Sequence, residues 1–157
     1  LLGIQVESLR WQIAPPGVNE GTQCMDRTRR TRALWITAVL WMGVIFALSS
    51  LPGGSVPAGN YSSLGHFTVY AVLGTLLFLA VRDRHGGWVA VAIAVAMASA
   101  YGVTDEFHQS FVPGRMPDPA DWMMDTFGAF VGAAVTLGIL TWRERLSATD
   151  ENRSADQ

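Results

Sequence analysis

The side chains of this chain that could do chemistry fall into two groups. His66 and Tyr70 form the first; Asp105, Glu106, His108, Gln109, Arg115, Asp118, Asp121 and Asp125 form the second. A spacing of i, i+4 puts His66 and Tyr70 on one helix face and does the same for Asp121 and Asp125. Asp105, His108 and Gln109 share a face if the helix that carries them continues through Gln109. Five carboxylates against one arginine give the second group a formal charge of −4 with neutral histidines. Arg115 can hold one carboxylate in a bidentate pair, with Glu106, Asp121 and Asp125 as the candidates. The others need a proton, water, a protonated His66 or His108, or a cation. A donor set of Asp, Glu and His suits a divalent cation, either hard or of the first transition row. An anionic head group would be repelled unless such a cation or protonated histidines intervened.

Several of these residues also have purely structural uses. Asp118 followed by Pro119 is a helix start, with Asp as N-cap and Pro in the first turn. Pro113-Gly114 is turn chemistry. Asp125 and Glu106 resist that explanation, because an ionisable group at membrane depth costs several kcal/mol unless it is paired or used. No HExxH, GxSxG or phosphate-binding loop occurs, and no Ser-His-Asp arrangement can be assigned.

The elements that must position these groups are four apolar runs, residues 33–51, 64–81, 88–104 and 122–142. Half the chain is hydrophobic and 15% is charged, yet apart from Asp125 the charges avoid these runs. None shows the polar stripe of a soluble amphipathic helix, and each approaches the length needed to cross about 30 Å of hydrocarbon. The sequence therefore predicts an all-α membrane protein, a bundle of four transmembrane helices. Trp35, Trp88, Trp122 and Trp142, near the ends of the runs, fit interfacial anchoring.

Arginine placement orients the bundle. Arg27, Arg29, Arg30, Arg32, Arg82, Arg84, Arg143 and Arg145 flank one side, and Arg115 stands alone on the other. This asymmetry predicts a multi-pass protein of the cell membrane with both termini cytoplasmic, so the ionisable cluster lies at the extracytoplasmic face. Met25 followed by Asp-Arg-Thr-Arg-Arg-Thr-Arg reads as a native start, which makes residues 1–24 a non-native or disordered extension. Residues 25–145 form the four-helix domain, and the polar residues 146–157 read as a disordered tail. The single cysteine, Cys24, excludes an internal disulfide framework and a CxxC metal site. A net charge of −2 without a basic patch gives nucleic acid no purchase.

Residues 105–115 (DEFHQSFVPGR), followed by Asp118, Asp121, Asp125 and Gly128, resemble the signature of the VanZ-like family. Gly65-His66-Phe67-Thr68-Val69-Tyr70 with Leu73-Gly74 resembles that family's earlier motif, and Ser49-Ser50-Leu51-Pro52 its first-helix exit. The resemblance covers residues 33–142. It implies a small multi-pass bacterial membrane protein of a family named for resistance to the glycopeptide teicoplanin. By position, it carries motif status to His66, Tyr70, Glu106, Gln109, Arg115, Asp121 and Asp125. Many members have a lysine three residues before the motif histidine; Ser63 stands here instead.

Three functions are compatible with these residues. One is a binding or protective protein acting on glycopeptide access, an envelope lipid or a wall precursor, which the resemblance favours. Another is a metal-assisted intramembrane enzyme, with Glu106 or Asp125 as base and His66 or His108 as its partner. A third is a small cation transporter, against which stand the small helix number and the absence of a charge near a midplane.

Overall fold

The structure, a computed structural model, describes residues 20–53 and 60–155. These contain four helices: α1, Glu20–Ser49; α2, Asn60–His85; α3, Gly87–Gln109; and α4, Pro119–Ala155. Each includes a stretch long and apolar enough to cross a membrane. The chain divides into two units, residues 1–30 and 31–157. Of the first, only the opening turns of α1 are described.

Local chemistry sets the helix ends. At the end of α1 the Ser50 amide bonds the Phe46 carbonyl (3.0 Å), and Pro52 then stops propagation. Between α2 and α3 the Gly86 amide closes on the Arg82 carbonyl (3.1 Å), and Gly87 turns the chain with φ +53°. Asp118 caps α4 as its sequence context predicts: its Oδ1 accepts the Ala120 amide at 2.8 Å, and Pro119 follows at N1.

The bundle of residues 31–155 is built on an unusually close contact between α2 and α4. A Cβ added at Gly128 would overlap the Phe67 carbonyl oxygen, one at Gly132 that of Ala71, and one at Gly74 that of Ala129. Small residues thus let two backbones touch, the usual solution where lipid supplies no hydrophobic drive between helices. α3 packs on both through the stripe Ala90, Ala94, Ala98 and Gly102, spaced i, i+4 and buried. α1 is tied on by longer side chains. Trp41 Nε1 donates to the Val69 carbonyl at 2.9 Å, and the Tyr101 hydroxyl donates to that of Met42 at 2.7 Å.

The surface is inverted relative to a water-soluble bundle. Ile36, Val39 and Leu40 of α1 are 61%, 62% and 66% exposed, while Asp105 and Asp125 are buried. An apolar exterior around a polar interior suits lipid as solvent.

Two boundaries differ from the sequence reading. The region 146–157, read as a disordered tail, is helical through Ala155; the last two residues lie outside the described ones. No Gly or Pro follows Gly138, so nothing interrupts propagation once the apolar part of α4 has nucleated it. Of the extension 1–24, residues 1–19 lie outside the described residues, and the helix of α1 runs through 20–24 across Met25 without a break.

Gly132→Val should cost about 3 kcal/mol or more, because the overlap is with backbone that cannot yield. Gly138, whose Cβ would meet nothing within 4 Å, should tolerate Ala with no loss. Unfolding in detergent, followed by circular dichroism, separates the two.

Candidate functional site

The carboxyl ends of α1 and α3 and the amino ends of α2 and α4 meet, and most of the ionisable residues converge there. His66, in the second turn of α2, hydrogen-bonds Asp125 in α4, with Nδ1 and Oδ1 2.9 Å apart. Asp125 is completely buried, and His66 is 9% exposed. Asp121, one turn before Asp125, brings its Oδ2 to 3.8 Å from His66 Nε2 and accepts a hydrogen bond from the Ser63 hydroxyl at 3.2 Å. Glycine again makes the space: a Cβ at Gly102 of α3 would sit 3.1 Å from Asp125 Oδ2.

The end of α3 supplies two further buried carboxylates. Asp105 Oδ2 accepts from the Ser49 hydroxyl of α1 at 2.8 Å and from Gln109 Nε2 at 3.1 Å. Glu106 Oε2 accepts the Asp118 amide at 2.9 Å, so Glu106 anchors the loop that opens α4. One oxygen on each of Asp105, Glu106 and Asp125, together with the Tyr70 hydroxyl, is buried without a hydrogen-bond partner. Such orphaned groups are expensive in a low-dielectric interior.

Two sequence expectations need correction here. Among the described residues Arg115 pairs with no carboxylate. Its Nη1 donates to Gln109 Oε1 (3.2 Å), its Nε to the Leu51 carbonyl (3.2 Å) and its Nη2 to that of Leu48 (3.4 Å). The guanidinium therefore satisfies carbonyls that the end of α1 leaves open and ties that end to α3. Gly114, at φ +75°, makes the turn that aims it. His108 also leaves the cluster. It stacks on Phe46 of α1, with centroids 4.2 Å apart, and places Nε2 3.0 Å from the Ser50 hydroxyl. Asp105 and Gln109 share a face as their spacing predicts; His108 is turned away from it.

One residue of the site gives no signal in the sequence. Ser49 reads as part of a helix exit, yet it is buried and holds Asp105. Only the pairing of α1 with α3 could reveal that.

Beside the carboxylates lies a cavity of about 190 Å³ with a divided wall. Ile45, Leu48, Leu51 and Val69 form its apolar side, and Ser49, His66, Tyr70, Asp105 and Arg115 its polar side.

The model of the VanZ/LLP1 family matches residues 34–141, most of the chain and every residue of this site. The chain belongs to the VanZ/LLP1 family. With four helices fit to cross a membrane, this VanZ/LLP1 protein is a multi-pass membrane protein. No curated protein and no solved structure matches the chain.

Arg115→Lys should lower stability by about 1–3 kcal/mol, since an ammonium cannot reach three acceptors from one plane. Arg145→Lys, on an exposed turn of α4, should be silent. Thermal unfolding of the two variants checks this, and equal midpoints would dissolve the tie between α1 and α3.

Proposed function

We propose that this VanZ/LLP1 protein sits in the cell membrane with both termini cytoplasmic. Its carboxylate–histidine end faces outward and binds an amphiphilic envelope molecule, a lipid or lipid-linked wall precursor. By occupying or altering that molecule it reduces susceptibility to glycopeptides of the teicoplanin type. The observation that carries the reading is the divided cavity. Its apolar wall suits a hydrocarbon portion, and its polar wall presents groups that can fix a head group. Orientation is supported by the arginines. Arg82, Arg84, Arg143 and Arg145 lie toward the helix ends opposite the cavity, and only Arg115 lies beside it. Family membership supports the envelope setting.

The His66–Asp125 pair favours a second reading, in which the bound molecule is also chemically changed. A carboxylate that holds an imidazole in place is the usual arrangement around a general base. Conversion of a bound lipid by the purified protein would distinguish enzyme from binding protein.

Two measurements test the proposal. In a Cys24→Ser background, Met116→Cys should react with an impermeant thiol reagent in intact cells and His85→Cys should not; the reverse pattern would overturn the orientation. Gly65 lines the cavity, and a Cβ there meets nothing within 4 Å, so Gly65→Leu adds bulk at the cavity wall with room for its first atom. In a teicoplanin-sensitive bacterium expressing the chain, Gly65→Leu should accumulate like the parent yet abolish the gain in tolerance. Undiminished tolerance would remove the cavity from the function.

A further inference from the structure

We propose that His66, Glu106 and Asp125 bind a divalent metal ion of the first transition row at the inner edge of the cavity. Each of the three offers one donor atom, and these atoms lie within 4.8 Å of one another. They come from three helices, α2, α3 and α4, whose close packing holds them in place. The Tyr70 hydroxyl is an independent sign of a ligand. Tyr70 is fully buried, its hydroxyl has no hydrogen-bond partner, and it lies within electrostatic reach of Asp125, Asp105 and Glu106. A tyrosine buried for packing alone would carry its oxygen to an acceptor.

Charge balance points the same way. Among the described residues no arginine contacts Asp105, Glu106 or Asp125, and the chain's basic side chains other than histidine are all arginines. Ser49 and Gln109 serve one oxygen of Asp105 and the Asp118 amide one of Glu106, yet Asp105, Glu106 and Asp125 each keep one unpartnered oxygen. Two carboxylates and one neutral imidazole around a divalent ion make an uncharged site, which suits a low-dielectric surround. One nitrogen and few oxygen donors fit zinc or manganese better than calcium, which takes six to eight oxygens. His66 lines the cavity, so the ion would lie where the head group of a bound amphiphile arrives. An anionic head group could then meet the ion as well as Arg115, in a pocket that also holds the Asp105 carboxylate.

The inference deepens the reading of this end of the bundle as a binding site, and metal alone is the probe, so the two can fail separately. The full chain, purified without a histidine tag and stripped with a chelator, is titrated with Mn²⁺ by electron paramagnetic resonance. Zn²⁺ then serves as competitor. About one Mn²⁺ per chain should bind and be displaced by Zn²⁺. Affinity should fall about 100-fold or more in Asp125→Asn and in Glu106→Gln, and stay unchanged in Asp83→Asn near the opposite end. Zn²⁺ should also raise the unfolding temperature of the parent. Should Asp125→Asn fail to fold, Glu106→Gln carries the same comparison. A folded, monodisperse parent that binds neither ion, or binds them as well after Glu106→Gln, overturns the site. A metal-free protein that still confers tolerance removes only the metal; a metal-binding protein that never alters tolerance removes only the proposed role.

Discussion

Two helix backbones, α2 and α4, touch where Phe67 and Ala71 face Gly128 and Gly132, and the polar end of the molecule depends on that contact. His66 immediately precedes Phe67, and Asp125 lies three residues before Gly128, so the contact that packs the helices also sets histidine against carboxylate at 2.9 Å. A Cβ at Gly128 or Gly132 would overlap a backbone carbonyl of α2, so any larger residue there would push the helices apart. Gly102 extends the same device to α3, whose bare backbone accepts the Asp125 side chain. Small residues at these positions thus do two things: they supply packing where lipid gives none, and they set the reach of the charged groups.

A bundle assembled this way faces the cost of carboxylates taken out of water, and it meets that cost unevenly. Asp105 is served by Ser49 and Gln109, and Glu106 by the amide of Asp118. Both arrangements also fasten one element to another, α1 to α3 and the opening of α4 to the end of α3. Arg115 does the same for the carbonyls at the end of α1. The bonds that hold the helix ends together therefore use one side of the polar groups and leave the other bare. A buried network left partly unsatisfied in this way is costly. Here the bare oxygens and the Tyr70 hydroxyl remain beside a cavity.

Much of this was legible along the chain. The four apolar runs gave the spans, and Asp118-Pro119 gave a helix start the structure keeps. The i, i+4 relation of Asp121 and Asp125, with the glycines after them, pointed Asp125 inward. What stayed hidden concerns contacts between helices. A spacing of four says that two residues share a face but not what that face meets. The sequence could not say that His108 would turn to Phe46 and Ser50, or that Arg115 would choose carbonyls over the carboxylates around it. Ser49 illustrates the same limit, for its neighbours in sequence explain a helix end and only α3 explains its burial. At residues 146–155 polarity suggested a tail, and helix-compatible residues without Gly or Pro continue α4 there.

The central claim is that the buried charge at this end of the bundle is kept for function. Its sharpest test is Asp125→Asn, which preserves the shape and hydrogen-bonding capacity of a side chain with no exposure while deleting its charge. The quantity to measure is teicoplanin tolerance per unit of membrane-inserted protein, parent against variant in the same sensitive host. The account predicts a variant that inserts and accumulates normally but confers no more tolerance than an empty vector. An asparagine variant equal to the parent in both amount and tolerance would contradict it, and would make Asp125 a packing residue.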